Sequence, residues 1–286
     1  MKFAAVATVV LAGWCVWASP ALGQQADAPS TVGVTITGDY GYGFPPDASE
    51  HGHEMDRLIV IVHWFMGVLF VGWGVFFAYC LVRFRRRPGH QAGYDMIKAK
   101  PSKYAELGVA VFEGVLLISF SMPAWTKAKS PPDPATAVNI RVVAEQFAWN
   151  FHYPGKDGKF GKTDPKHIDT AINAVGVDRS GEGKDDVISG ELHVPVGEAV
   201  ICQISSKDVI HSFGVPVLRV KQDAMPGMRI PVWFKAVKTG TYEVACAQLC
   251  GNNHYKMKAL IVIEPRDQYD AWLEKKGAPP KEFEEE

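Results

Sequence analysis

From Leu58 to Val82 the chain is almost wholly apolar, and that run limits what the rest can fold into. A helix needs ~20 such residues to cross a bilayer, and this stretch exceeds that length. It stops abruptly in Arg83-Phe84-Arg85-Arg86-Arg87-Pro88. A second apolar stretch runs from about Leu107 to Trp125, with Lys98, Lys100 and Lys103 between the two. A short loop this basic belongs on the cytoplasmic side. The two segments therefore predict a transmembrane helical hairpin over residues 56–126, with its outer ends and everything after residue 126 outside the cytoplasm. The N-terminus agrees. Lys2, an apolar run from Ala4 to Trp17, and the small residues Ala18, Ser19, Ala21 and Gly23 have the layout of a secretory signal peptide over residues 1–23. A polar, Gly/Pro-rich segment over 24–55 would then lie outside, on a protein of the plasma membrane.

Beyond Pro131-Pro132-Asp133-Pro134 the pattern changes to alternating, β-branched segments. Residues 137–153, 189–196, 199–205, 230–236, 240–246 and 258–264 read as strands separated by Gly/Pro/Asp turns, which predicts an all-β sandwich or barrel over residues 136–265. The Gly-, Lys- and Asp-rich segment from Gly155 to Asp186 reads as a long surface insertion. The C-terminal residues 266–286 read as an amphipathic turn around Tyr269–Glu274 and a solvated acidic tail. With 30 basic against 31 acidic residues, bulk charge names no partner, and nucleic acid is not expected.

Five cysteines at irregular spacing make a poor disulfide framework. Only Cys246 and Cys250 stand among other ligand-type residues, in Cys246-Ala247-Gln248-Leu249-Cys250-Gly251-Asn252-Asn253-His254-Tyr255-Lys256-Met257. Thiolate, thioether and imidazole together suit copper. The four-residue steps fall where a strand runs into a glycine-containing loop, so the side chains can converge on one point. His211, expected in a loop after another strand pair, can join them at the same pole of a sandwich. Two cysteines can bridge two metal ions, which one cannot. A Cys246–Cys250 disulfide is the alternative that an oxidising location permits. Structural zinc is another, although zinc sites prefer Cys and His without Met.

The pattern His, then Cys-x3-Cys-x3-His-x2-Met, together with signal peptide, hairpin and sandwich, resembles subunit II of the heme-copper cytochrome c oxidases. The resemblance covers nearly the whole mature chain, and Lys221-Gln222-Asp223-Ala224-Met225-Pro226-Gly227 matches as well. It implies a cupredoxin-like domain holding a dinuclear copper (CuA) centre through His211, Cys246, Cys250, His254, Met257 and the backbone oxygen of Gln248. It also implies a respiratory role, in which electrons pass from cytochrome c to heme in subunit I, where O2 is reduced and protons are translocated, beside other oxidase subunits. The family usually has glutamate where this chain has Gln248, and that glutamate helps bind magnesium at the subunit I boundary. A magnesium site here is therefore in doubt, since an amide oxygen is a weaker ligand than a carboxylate.

Other positions are read through the same resemblance. The family's aromatic run of Gln-Trp-Tyr-Trp is here Gln146-Phe147-Ala148-Trp149, which places Phe147 at the residue associated with electron arrival and Trp149 at the second tryptophan. Glu106 resembles a glutamate near the cytoplasmic mouth of a proton pathway. Glu113, inside the second helix, has no counterpart and no assigned role. His63 reads as a buried, hydrogen-bonded residue; His152, His167 and His193 lack sulfur or carboxylate companions at ligand spacing. Cys80 and Cys202 read as small apolar residues. A quinol-oxidase-type subunit would lack the copper ligands, and a membrane-anchored copper carrier would more often show Met- or His-rich tracts. Cys-x-x-Cys-His is absent, so no fused cytochrome c domain is expected.

Overall fold

The computed structural model describes residues 44–277, save 90, 92 and 95–99. The expected signal peptide, most of the polar segment after it and the acidic tail lie outside the described residues. Helix α1 spans Gly52–Arg83, and helix α2 spans Lys100–Lys129 with a π-helical turn at Leu117–Ser121. Pro123 gives that turn a physical cause. It has no N–H to donate, and in a regular α-helix its ring would crowd the carbonyl of Ser119, a clash that a wider turn relieves. At ~1.5 Å per residue both helices exceed the ~30 Å of a hydrocarbon core. A stacked pair, Phe65 on Phe112 at 4.2 Å, joins them. Their surfaces otherwise present Trp64, Phe70, Trp73 and Phe77 outward, which suits lipid or another membrane subunit.

The sandwich is built from ten strands in two five-stranded sheets. The first contains β1 (Val138–Glu145), β2 (Ala148–Tyr153), β3 (Val187–Ser189), β5 (Ala199–Ser206) and β8 (Ile230–Lys235), in the order β3-β2-β1-β5-β8. The second contains β4 (Leu192–Pro195), β6 (His211–Val215), β7 (Val220–Ala224), β9 (Gly240–Cys246) and β10 (Lys258–Glu264), in the order β4-β10-β9-β6-β7. Alternation decides which faces meet. Ile140, Val142 and Ala144 of β1 are fully buried, while Arg141 and Val143 point the other way. Phe151, Tyr153, Phe213, Phe234, Ile261 and Ile263 fill the space between the sheets. Burying each such side chain contributes about 1.5–3 kcal/mol.

Several expectations need correction. The stretch from 137 to 153 is two strands, because Gln146-Phe147 turns the chain back so that β2 pairs antiparallel with β1. His211 is not in a loop. It opens β6 and is fully buried. Strands β3, β6 and β7 are additional to those read from the sequence. The insertion from 155 to 186 is pinned rather than free. His152 on β2 donates to the Asp186 carboxylate, both side chains having no exposure, and Asp186 also accepts from Gly161 N at 2.9 Å. The C-terminal turn is a full helix α3, Arg266–Gly277, whose Trp272 stacks on His193 at 4.0 Å.

The helices are fastened to the sandwich at one end. Arg219 grips Asp56 of α1 bidentately, with Nε to Oδ1 at 2.7 Å and Nη2 to Oδ2 at 2.8 Å. Lys129 reaches Gln222 at 2.7 Å and Lys235 meets Glu50, just ahead of α1, at 2.8 Å, while Lys127 of α2 and Glu54 of α1, 2.8 Å apart, tie the helices to each other.

Candidate metal centre

Neighbouring strands of the second sheet bring the sulfur-rich run together. Cys246 ends β9, and β10 begins one residue after Met257. The intervening loop closes on itself through Cys246 N–H to Met257 O at 3.0 Å, and a short 3-10 helix carries His254. Strand β6 lies on the other side of β9, with Phe213 opposite Cys246, so His211 projects to the same pole.

The resulting distances are short. Cys246 Sγ and Cys250 Sγ are 3.8 Å apart, and both thiols are free. Cys250 Sγ lies 3.6 Å from His254 Nδ1 and 3.8 Å from Met257 Sδ. Cys246 Sγ lies 4.0 Å from His211 Nδ1 and 3.1 Å from the Gln248 carbonyl oxygen. The ligand atoms of His211, Cys246 and Cys250 all fall within 4.8 Å of one another. All six positions singled out in the sequence therefore converge. The Gln248 side chain is exposed, so only its backbone faces the site.

The donor chemistry fits a soft metal cation. Met257 is buried and Cys250 nearly so. Burial and the adjacent Cys246 push the Cys250 thiol up to about 11, so a thiolate there calls for a compensating positive charge. Metal–thiolate bonds run ~2.3 Å, longer than half the sulfur separation.

A residue not singled out in the sequence completes the centre. Asp208 Oδ1 lies 2.9 Å from His211 Nε2, which leaves Nδ1 facing sulfur. Asp208 also accepts from Gln146 N at 2.7 Å and Val209 N at 2.7 Å. Burial raises the carboxyl's pKa, but the bonds from His211 and these N–H groups more than offset it, so Asp208 stays below the usual range. Carboxylates commonly orient metal-binding imidazoles in this way. A carboxylate three residues ahead of a ligand histidine was the available signal, but it looks like any turn aspartate.

The aromatic run lies against this centre. Gln146 Nε2 donates to Cys250 O at 2.6 Å. The half-buried Phe147 ring covers Gly251, where an added Cβ would come within 3.0 Å of it. Trp149 is buried behind His211, its ring edge-on at 6.3 Å. The other candidates lie elsewhere. Glu106 is exposed in the first turns of α2 with Ser102 Oγ at 3.3 Å, and Glu113 is exposed in the middle of that helix. His63 is hydrogen-bonded to Ile59 O, but is exposed rather than buried. His152 and His193 do have carboxylate companions, Asp186 and Glu264, brought from far along the chain. Cys202 is a fully buried core residue.

A two-sheet sandwich with a sulfur-rich pole, carried on two apolar helices, defines a membrane-anchored, cupredoxin-like metal-binding protein. Residues 138–265 match the family model for the periplasmic domain of cytochrome c oxidase subunit II. The alternative cytochrome c oxidase subunit 2 of Bradyrhizobium diazoefficiens is 37% identical over 232 residues, covering 80% of this chain and 82% of that protein. Cytochrome c oxidase subunit 2 of Cereibacter sphaeroides is 26% identical over 289 residues, covering 93% and 91%. The solved periplasmic domain of subunit II from Bradyrhizobium japonicum is 29% identical, covering 50% of this chain and 95% of that one, with a TM-score of 0.38. The chain belongs to the cytochrome c oxidase subunit II family. It is a subunit of that respiratory oxidase, held in the membrane by α1 and α2 with the sandwich outside the cytoplasm. It works beside other oxidase subunits, and copper is the metal its family implies.

Proposed function

We propose that His211, Cys246, Cys250, His254, Met257 and the Gln248 carbonyl hold a dinuclear copper centre that takes electrons singly from cytochrome c for delivery to subunit I. The observation that carries this reading is the pair of free thiols 3.8 Å apart, each with its own histidine, and with Met257 and the Gln248 carbonyl on opposite members. When bound, the copper pair would supply a site that gains and loses one electron. The chain's own residues do the rest. Cys246 and Cys250 provide the shared anionic ligands. Asp208 fixes the orientation of His211, and Met257 excludes water beneath the loop. Phe147 over Gly251 is the proposed point of electron arrival, with Trp149 against His211 as the second aromatic of that run, and Glu106 the proposed proton-pathway residue.

Gln248 brings a neutral amide where the family's magnesium site uses a carboxylate. A magnesium ion there would depend on ligands from another subunit.

EPR of the intact, copper-loaded oxidase tests the centre. One unpaired electron shared over two coppers is the expected signal, lost in Cys250→Ser. A mononuclear blue-copper signal would overturn the dinuclear reading. Steady-state oxidation of cytochrome c by Phe147→Ala tests the arrival point, with a fall in kcat/KM expected and the copper spectrum unchanged.

A further inference from the structure

Separate from the metal ligands, on the outward side of the first sheet, a cleft of about 180 Å³ opens beneath the insertion. Its floor is Arg141 and Val143 of β1 beside their register partners Gln203 and Ser205 of β5. Thr163 and its neighbours form the wall, and Lys207 and Arg229 also face the space. We propose that this cleft binds a soluble oxyanion of the phosphate class, gripped chiefly by Arg141 and Arg229.

Three observations carry the assignment. First, two guanidiniums share the space without a salt-bridge partner. Neither Arg141 nor Arg229 makes an ion pair among the described residues. Of the nearby acids, Glu145 pairs with Lys207 at 2.6 Å, Asp164 in the wall accepts the Lys166 N–H at 2.9 Å, and Asp186, bonded to His152, acts on Arg141 through its charge without a direct ion pair. Second, Arg141 is held in place with donor capacity left over. Its guanidinium lies 4.1 Å over the Phe160 ring, and Nη1 donates to Gly161 O at 3.3 Å. Its Nε is buried without a partner. Nε is thus closed to a ligand, and the terminal guanidinium nitrogens are what Arg141 offers an acceptor in the cleft. Third, the neutral groups suit oxygen atoms. The Thr163 and Ser205 hydroxyls and the Gln203 amide can all donate, while arginine's planar fork matches phosphate geometry. Burial first, and then the charge of Arg229, hold Arg141 below its ordinary pKa, which agrees with two like charges facing one space.

The cleft's position favours a soluble ligand over a lipid headgroup. Arg229 immediately precedes β8, whose other end, Lys235, pairs with Glu50 just ahead of α1. The cleft therefore lies at the end of the sheet opposite the membrane stem.

Isothermal titration of the intact oxidase in detergent, with inorganic phosphate at ionic strength held constant by chloride, tests the proposal. Saturable binding of one phosphate per chain is expected, weakened about tenfold in Arg229→Gln by loss of a charge-assisted bond. Arg229 is exposed and makes no ion pair among the described residues, so this variant should fold even if Arg141→Gln loosens the insertion. Phosphate should also raise the melting temperature of the wild type more than that of Arg229→Gln. Equal phosphate affinity in wild type and Arg229→Gln, or no saturable binding, would overturn the assignment. So would Arg229-dependent binding to phosphatidylglycerol vesicles without binding of free phosphate.

Discussion

Asp208 shows how a residue outside the ligand set can govern it. Its carboxylate fixes His211 through Nε2 and ties in the β1–β2 turn through Gln146 N, so Asp208→Asn should loosen the imidazole without removing a ligand. Copper affinity is expected to fall about 10- to 100-fold, measured by competition against a chelator of known affinity. Gly251 is the second sensitive position. Its φ is +139°, and a Cβ there would approach Gln146 Nε2 at 2.8 Å and the Phe147 ring at 3.0 Å. Gly251→Ala should destabilise the domain by about 1–3 kcal/mol, seen as a lower melting temperature of the metal-loaded protein. The convergence of the candidate ligands was legible in the sequence because five of the six lie in one short run whose chemistry is unusual. Asp208 and the packing of Trp149 on His211 were not, since both depend on strands that meet only after folding.

Among the elements, the strands that were missed share a physical character. Strand β7, Val220–Ala224, carries Lys221, Gln222 and Asp223 at the sheet edge, so it shows no apolar alternation. Strand β6 is buried along its whole length, and five buried residues give no period to read. The insertion was equally opaque, because its anchor joins residues 34 positions apart. Burial lowers the pKa of His152 despite Asp186, and a neutral ring donating from Nε2 agrees with an Nδ1 that has no partner. Burial raises the Asp186 carboxyl, but the bonds from His152 and Gly161 N–H outweigh it and leave its pKa below the usual value. The signs then agree. Below ~6.5 the unfolded chain takes up a proton at His152 that the folded chain refuses, so stability falls with acidification. The contribution of Asp186 is present above its unfolded value and is lost further down, as pH falls through the folded one. Thermal melts from pH 7 to 5 should show this decline, and His152→Phe should flatten its upper part. His152→Ala, which removes a hydrogen bond to a buried carboxylate, should cost about 1.5–3 kcal/mol.

At the scale of the whole molecule, the plan of hairpin and sandwich was legible because each carries its own period or length, whereas the ties between them were not. Asp56 and Arg219 are 163 positions apart, and nothing local to either marks the pairing. Arg219→Ala should leave the copper spectrum intact while lowering oxidase turnover and costing about 1–3 kcal/mol in stability, read from cytochrome c oxidation and melting of the same preparation. The reason lies in leverage. A sandwich hinged only at Ser130-Pro131-Pro132 could rock on its stem, and a small angle there would sweep the far metal pole through an arc. Tunnelling rates decay exponentially with gap width, so each swing would throttle the current. Polar ties at Glu50, Asp56 and Lys129 turn a tether into a rigid mount, and a rigid mount keeps the gap to the next redox partner constant.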